Sequence, residues 1–194
     1  MAEPVTAART LILMRHAAAG SAPRDHDRPL TPDGVRVATD AGRWIRGNLA
    51  PVDFVLCSSA TRTRQTLSST GLATATAADT VFSDELYGGG VDEILEQVAA
   101  APAAARMLLV IGHAPTIPST AWELVSQARS AACASGGAAC ASGGTDAGGT
   151  GPDRDADELR HFSAGSFAVL TTDAGWADLA EVGAELQTVR HPVH

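Results

Sequence analysis

Cysteine is scarce: three in 194 residues, with no Cys-x-x-Cys spacing. Neither a disulfide framework nor a zinc site is therefore expected. Cys57 lies in an apolar run and reads as a small buried hydrophobe, whereas Cys133 and Cys140 lie in a low-complexity segment. Aromatic residues make up only 4%, so the helices are expected to pack closely on small side chains. No apolar run reaches the roughly 18 residues of a membrane-spanning helix, and Met1–Ala8 is too short and polar for a signal peptide. A cytoplasmic protein is expected. Positive charge is also in deficit, with 14 basic against 22 acidic residues and a net charge of −8. That balance argues against nucleic acid or an anionic membrane as partner, because both select basic faces. It leaves acidic substrates open, since a phosphate pocket needs only a local cluster of positive charge.

With 45% hydrophobic residues, the chain can bury one substantial core, and a single α/β domain over residues 1–194 is the simplest organisation. Its organising stretch is Thr10-Leu11-Ile12-Leu13-Met14, a continuous apolar run of strand length that ends in Arg15-His16-Ala17. Such runs mark buried parallel strands, and open α/β sheets bind ligands outside the carboxyl ends of their strands. The pattern repeats. Met107 to Ile111 ends in Gly112-His113, and Asp53 to Cys57 runs into Ser58-Ser59-Ala60-Thr61-Arg62-Thr63-Arg64-Gln65-Thr66. Three strands thus deliver two histidines and two arginines to strand-to-helix junctions.

The intervening segments read as follows. Ala17 to Asp27 is a loop crossing the crevice, a partial lid. Thr31 caps a helix with Pro32 at its first position, and Val35, Ala38, Gly42, Ile45 and Leu49 form its apolar stripe. Ser58 or Ser59 caps the helix whose first turn carries Arg62, where exposed backbone N–H groups and the helix dipole favour a phosphate. Val81-Phe82 is a short strand, Ser83 to Gly90 a loop, and Val91, Ile94, Leu95 and Val98 an amphipathic helix. Phe162 to Thr172 and Leu186 to Val189 are the last β segments, with Trp176 packed on the sheet. Ahead of both, Ala-Ala-Cys-Ala-Ser-Gly-Gly occurs twice in tandem at 131–137 and 138–144. A flexible low-complexity insertion is expected over about 129–158, with no apolar periodicity to offset the entropy of ordering.

The Arg15-His16 pair, the Ser59 to Thr66 segment and Gly112-His113 together resemble the signatures of the histidine phosphatase superfamily. Asp27-Arg28-Pro29-Leu30-Thr31-Pro32-Asp33-Gly34 and Gly165-Ser166-Phe167-Ala168-Val169-Leu170 look like those of its short phosphohistidine phosphatases, the SixA type. Ala17 departs from the pattern by standing where these proteins usually have glycine. The resemblance implies a three-layer α/β/α sandwich with a mainly parallel sheet, as in phosphoglycerate mutase-like folds. It also implies a metal-independent phosphatase without cofactor. His16 is then the nucleophile forming a phosphohistidine intermediate, and Arg15, Arg62, His113 and Arg28 hold the phosphate. Glu85 and Asp25, with Asp27 as a further rival, are the candidate general acids.

A phosphorylated protein carrying phosphohistidine is the expected substrate, and a monomer the expected state. A small-molecule phosphomonoesterase acting on a sugar phosphate or nucleotide is the alternative, and a non-catalytic phosphohistidine-binding protein a further one. A metal site of His16, His113 and Asp25 or Glu85 ranks below these, because two arginines in the same crevice repel a divalent cation and no His-x-x-x-His spacing is present.

Overall fold

The structure, a computed structural model, describes residues 8–76, 78–134 and 152–192. Six strands form one sheet: β1 (Arg9–Arg15), β2 (Phe54–Ser58), β3 (Asp79–Ser83), β4 (Met107–Gly112), β5 (Phe167–Thr172) and β6 (Glu185–Arg190), in the order β3-β2-β4-β1-β5-β6. β1, β2, β3 and β4 pair in parallel, and β5 and β6 add an antiparallel edge. The helices are α1 (Pro32–Asn48), α2 (Thr61–Thr70), α3 (Leu72–Thr76), α4 (Glu85–Gly88), α5 (Val91–Ala99), α6 (Thr116–Ala134), α7 (Pro152–Arg160) and α8 (Leu179–Val182).

Side chains alternate across a strand, and this splits the core into two layers. Leu11, Leu13, Leu108 and Val110 pack with Leu86 of α4, Ile94 and Val98 of α5, Ile117, Ala121 and Leu124 of α6, and Leu159 of α7. Ile12, Met14, Leu109 and Ile111 face the other way, onto Ala41 and Ile45 of α1, Leu67 of α2 and Leu72 of α3. The result is the expected α/β/α sandwich. β1 and β4 are neighbours at its centre and read as unbroken apolar runs because both faces are covered. Trp176 is buried against the first layer and donates its indole N–H to Ala105 O at 2.9 Å.

Several local expectations are corrected. In α1, Thr31 caps as anticipated, its Oγ1 accepting from Gly34 N at 3.0 Å, but Val35 is exposed. Ala38, Gly42 and Ile45 are buried as expected, and Gly34, Val37 and Ala41 widen the buried stripe on the side where α1 meets α2. There Gly42 allows a close approach that no larger residue permits, since a Cβ would lie 2.1 Å from Thr70 O. Residues 83–90 are not all loop, because Leu86 anchors the short α4.

The insertion is also narrower than expected. Alanine, the strongest helix former, carries α6 on to Ala134, and α7 buries Ala156 and Leu159, spaced three apart. The remainder, 135–151, lies outside the described residues. Cys133 is disulfide-bonded, where the sequence indicated no disulfide framework. Among the described residues no helix is long and apolar enough to cross a membrane.

Candidate active site

Parallel pairing of β1 with β4 sets Arg15 beside Gly112, so the two strands release His16 and His113 side by side. His16 N donates to Gly112 O at 3.0 Å, and the two imidazole centroids are 5.1 Å apart. β2, on the other side of β4, hands over to α2, whose first turn carries Arg62. The carboxyl ends of three adjacent strands therefore bring Arg15, His16, Arg62 and His113 into one crevice.

His16 is fixed by its neighbour. Its Nδ1 lies 2.7 Å from Ala17 O, so Nδ1 carries the proton and Nε2 the lone pair. Ala17, the residue that stands in place of glycine, is wholly buried and fits. Its N–H donates to Thr66 Oγ1 at 3.1 Å, and that hydroxyl donates to Arg62 O at 2.7 Å. Gln65 Oε1 accepts from Leu30 N at 2.7 Å, which gives the Gln-Thr pair its role of stapling both ends of the lid loop to α2.

From behind, Gly165 N donates to His16 O at 3.0 Å. Gly165 has φ +89°, and a Cβ there would meet Val37 Cγ1 at 2.4 Å, so only glycine serves. Burial pushes the His16 pKa down to about 4, the bond to Ala17 opposes this, and Arg62, Arg15 and Arg28 lower it further. The ring is neutral at pH 7.

Arg62 is nearly buried and serves three groups. Its Nε donates to His16 Nε2 at 3.2 Å. Its terminal nitrogens donate to Asp25 O at 2.8 Å, to Asp25 Oδ2 at 3.0 Å and to His113 Nδ1 at 3.2 Å. Because Arg62 can only donate, His113 Nδ1 is an acceptor and its Nε2–H donates to Ser58 Oγ at 2.9 Å. Both nitrogens of His113 are thus engaged within the protein. Burial, followed by the charge of Arg62 and the contact with His16, lowers its pKa to about 3. Arg15 donates to Phe162 O at 2.9 Å, while its buried Nε has no partner among the described residues and desolvation lowers its pKa. The charge of Arg15 is felt at the neutral His16 ring, and together with that of Arg62 it suits an incoming oxyanion. The chain contains no lysine, so every cation here is a guanidinium fork.

The remaining candidates are placed differently. Arg28 braces the loop, donating to Gly20 O at 2.7 Å and Asp25 Oδ1 at 3.0 Å. Asp25 receives Arg28, Tyr87 and Arg62, and these hold its carboxyl down to about 2. It is an anion at any physiological pH. Glu85 points to α5, where its Oε2 accepts from Gln97 Nε2 at 2.7 Å. Asp27 pairs with Arg24 at 2.7 Å on the outside of the loop. Among the described residues no group of three or more His, Cys, Asp or Glu side chains is placed to hold a metal ion.

Sequence reasoning missed the roles of three side chains at the crevice: Ser58, His26 and Tyr87. Neither Ser58 nor Ser59 caps α2, which begins after Ala60 without a side-chain cap. Their hydroxyls bond His113 and, at 3.1 Å, His26 Nε2. Tyr87 Oη donates to Asp25 Oδ2 at 2.9 Å. These are contacts between residues far apart in sequence, and no local pattern signals them.

The family model of the histidine phosphatase superfamily, branch 1, matches residues 11–86. A solved structure from Nakamurella multipartitia, named a candidate phosphohistidine phosphatase SixA, is 59% identical with a TM-score of 0.82, over 96% of this chain and 98% of that one. An uncharacterized protein of Mycobacterium leprae is 31% identical over 188 residues, 92% of this chain and 99% of the relative. Another, from Mycobacterium tuberculosis, is 44% identical over 115 residues, 58% of this chain and 70% of the relative. With this likeness extending over nearly the whole chain, the protein belongs to the histidine phosphatase superfamily, as a phosphatase of the SixA type.

Proposed function

We propose that this single-domain protein is a metal-independent phosphohistidine phosphatase with His16 as nucleophile. The observation that carries the reading is the state of His16: neutral, with Nδ1–H committed to Ala17 O and the Nε2 lone pair open to the crevice beside Arg62. Phosphoryl transfer asks for positioned positive charge on the nonbridging oxygens and an in-line nucleophile. Arg15 and Arg62 supply the charge. The phosphate takes over donors of Arg62 that Asp25 holds, and the charge of Arg15 adds to that of Arg62.

His16 Nε2 attacks phosphorus as the bond from phosphorus to the substrate nitrogen breaks. A substrate imidazole protonated on its other nitrogen keeps the bonding pair and leaves neutral. His16, retaining Nδ1–H, becomes the phosphorylated imidazolium. Water then adds to phosphorus, the bond to Nε2 breaks, and dihydrogen phosphate departs with both protons of the water. His16 returns to its neutral form.

Two observations favour phosphohistidine over a phosphate ester. An alkoxide leaving group, with a conjugate acid near pKa 15.7, needs a proton donor, and Asp25 is held ionised while Glu85 is bonded to Gln97. Imidazole, at about pKa 6.5, needs none. The transfer passes a phosphoryl group between two like nitrogens and is close to balanced in energy. The name carried by the Nakamurella protein points the same way. A turnover panel in the presence of EDTA tests the reading: a phosphohistidine protein should be hydrolysed much faster than sugar phosphates or nucleotides. Efficient turnover of an alkyl phosphate would make the chain a small-molecule phosphomonoesterase, and loss of all turnover in EDTA would remove the metal-independent mechanism.

A further inference from the structure

Tyr87 is a large aromatic residue left at the surface, at 36% exposure, yet tightly held. Leu86 beside it is buried in the core, Gly89 N closes α4 on Glu85 O at 2.7 Å, and the Tyr87 hydroxyl reaches 62 residues back to Asp25. Its ring stands edge-on to His113 at 5.5 Å and 83°, and edge-on to His26 at 5.1 Å and 74°. The Arg62 guanidinium lies 5.7 Å from its centroid. His26 is in turn fixed by Ser59 Oγ. Four rings, those of His26, Tyr87, His113 and His16, therefore follow one another from the lid loop to the nucleophile.

We propose that Tyr87, with His26 beside it, forms the subsite that receives the leaving ring of the substrate and selects planar leaving groups. The inference rests on the phosphatase reading given above. In-line displacement puts the departing group on the side of phosphorus away from His16 Nε2. With the phosphoryl oxygens on Arg15 and Arg62, the ring that follows His16 and half-buried His113 toward the surface is Tyr87. An imidazole entering there meets ring edges and a guanidinium, the partners aromatic systems prefer. A small nonplanar leaving group finds nothing to pack on. The alternative role for Tyr87 is a strut that holds the lid closed through Asp25.

Phosphoimidazole and phosphoramidate separate the two roles, because both break a phosphorus–nitrogen bond and only one releases a ring. The quantity to measure is the ratio of kcat/KM for phosphoimidazole to that for phosphoramidate, in which any general effect on folding or on Arg62 cancels. Tyr87→Leu should lower the ratio about 3- to 10-fold, the range of one aromatic contact, chiefly through KM for phosphoimidazole. His26→Ala should lower it in the same direction, and Tyr87→Phe, which keeps the ring and loses only the Asp25 bond, should retain it. An unchanged ratio in Tyr87→Leu, or an equal loss of the ratio in Tyr87→Phe, would overturn the ring subsite. Wild-type protein that hydrolyses neither compound would instead overturn the phosphohistidine reading, and the subsite with it.

Discussion

Arg62 Nε donates to His16 Nε2 at 3.2 Å, so the residue that binds charge also aims the nucleophile. The same guanidinium reaches Asp25 and His113, with its side chain only 7% exposed. A lysine is a point charge and cannot hold three partners in one plane. Arg62→Lys should therefore lower kcat/KM by about 100-fold or more, the cost of losing preorganised oxyanion stabilisation. Steady-state kinetics on an aryl phosphate checks this, and a loss below about threefold would mean that Arg62 supplies charge alone.

The histidine pair sets a pH dependence. His16 and His113 are pushed down from 6.5 to about 4 and about 3 in the folded chain. Between pH 6.5 and these lower values the unfolded chain binds more protons than the folded one, so stability falls as pH is lowered through that window and is fully present above it. An NMR titration of the free protein should place the His16 ring midpoint near 4. A midpoint near the ordinary value would mean that the ring is solvated, because burial is the main cause of the shift.

The two carboxylates once rivals for the role of general acid should behave differently from an acid and from each other. Glu85→Gln leaves kcat within about twofold, because its carboxylate serves Gln97 and not the crevice. Asp25→Asn removes an anion that competes with phosphate for Arg62. Inhibition by inorganic phosphate should tighten by about 3- to 5-fold at low salt, with the gain screened away at high salt. Weaker phosphate binding in Asp25→Asn would assign Asp25 to holding Arg62 in place.

Much of this arrangement was legible in the sequence where the signal is local. β1 and β4 stand out because strands covered on both faces need every residue apolar, and the histidines follow them directly. Thr31-Pro32 marks the start of α1 because capping is a matter of adjacent residues. What escaped depends on contacts across the fold. Ser58 has the composition of a cap, but its hydroxyl is taken by His113, 55 residues away. Val35 sits three residues from Ala38 and looks inward on a helical wheel, yet the contact with α2 widens the buried stripe toward Val37 and Ala41 instead. Tyr87 lies beside three glycines and reads as loop, since nothing nearby announces that Leu86 anchors it.

Gly165 supports the nucleophile from behind through its bond to His16 O. Gly165→Ala forces a left-handed φ on a residue with a Cβ and drives that Cβ into Val37. Unfolding free energy should drop by about 1–3 kcal/mol, and a shift of His16 should lower kcat as well. Urea denaturation measures the first and kinetics the second, and a variant as stable as wild type would show that Val37 and the backbone yield freely.

The covalent adduct tests the central claim most directly. Protein mixed briefly with substrate and quenched in alkali should carry a single acid-labile phosphoryl group, mapped by mass spectrometry to His16, and His16→Ala should show neither adduct nor turnover. Full activity in His16→Ala, or an adduct on another residue, would contradict the account.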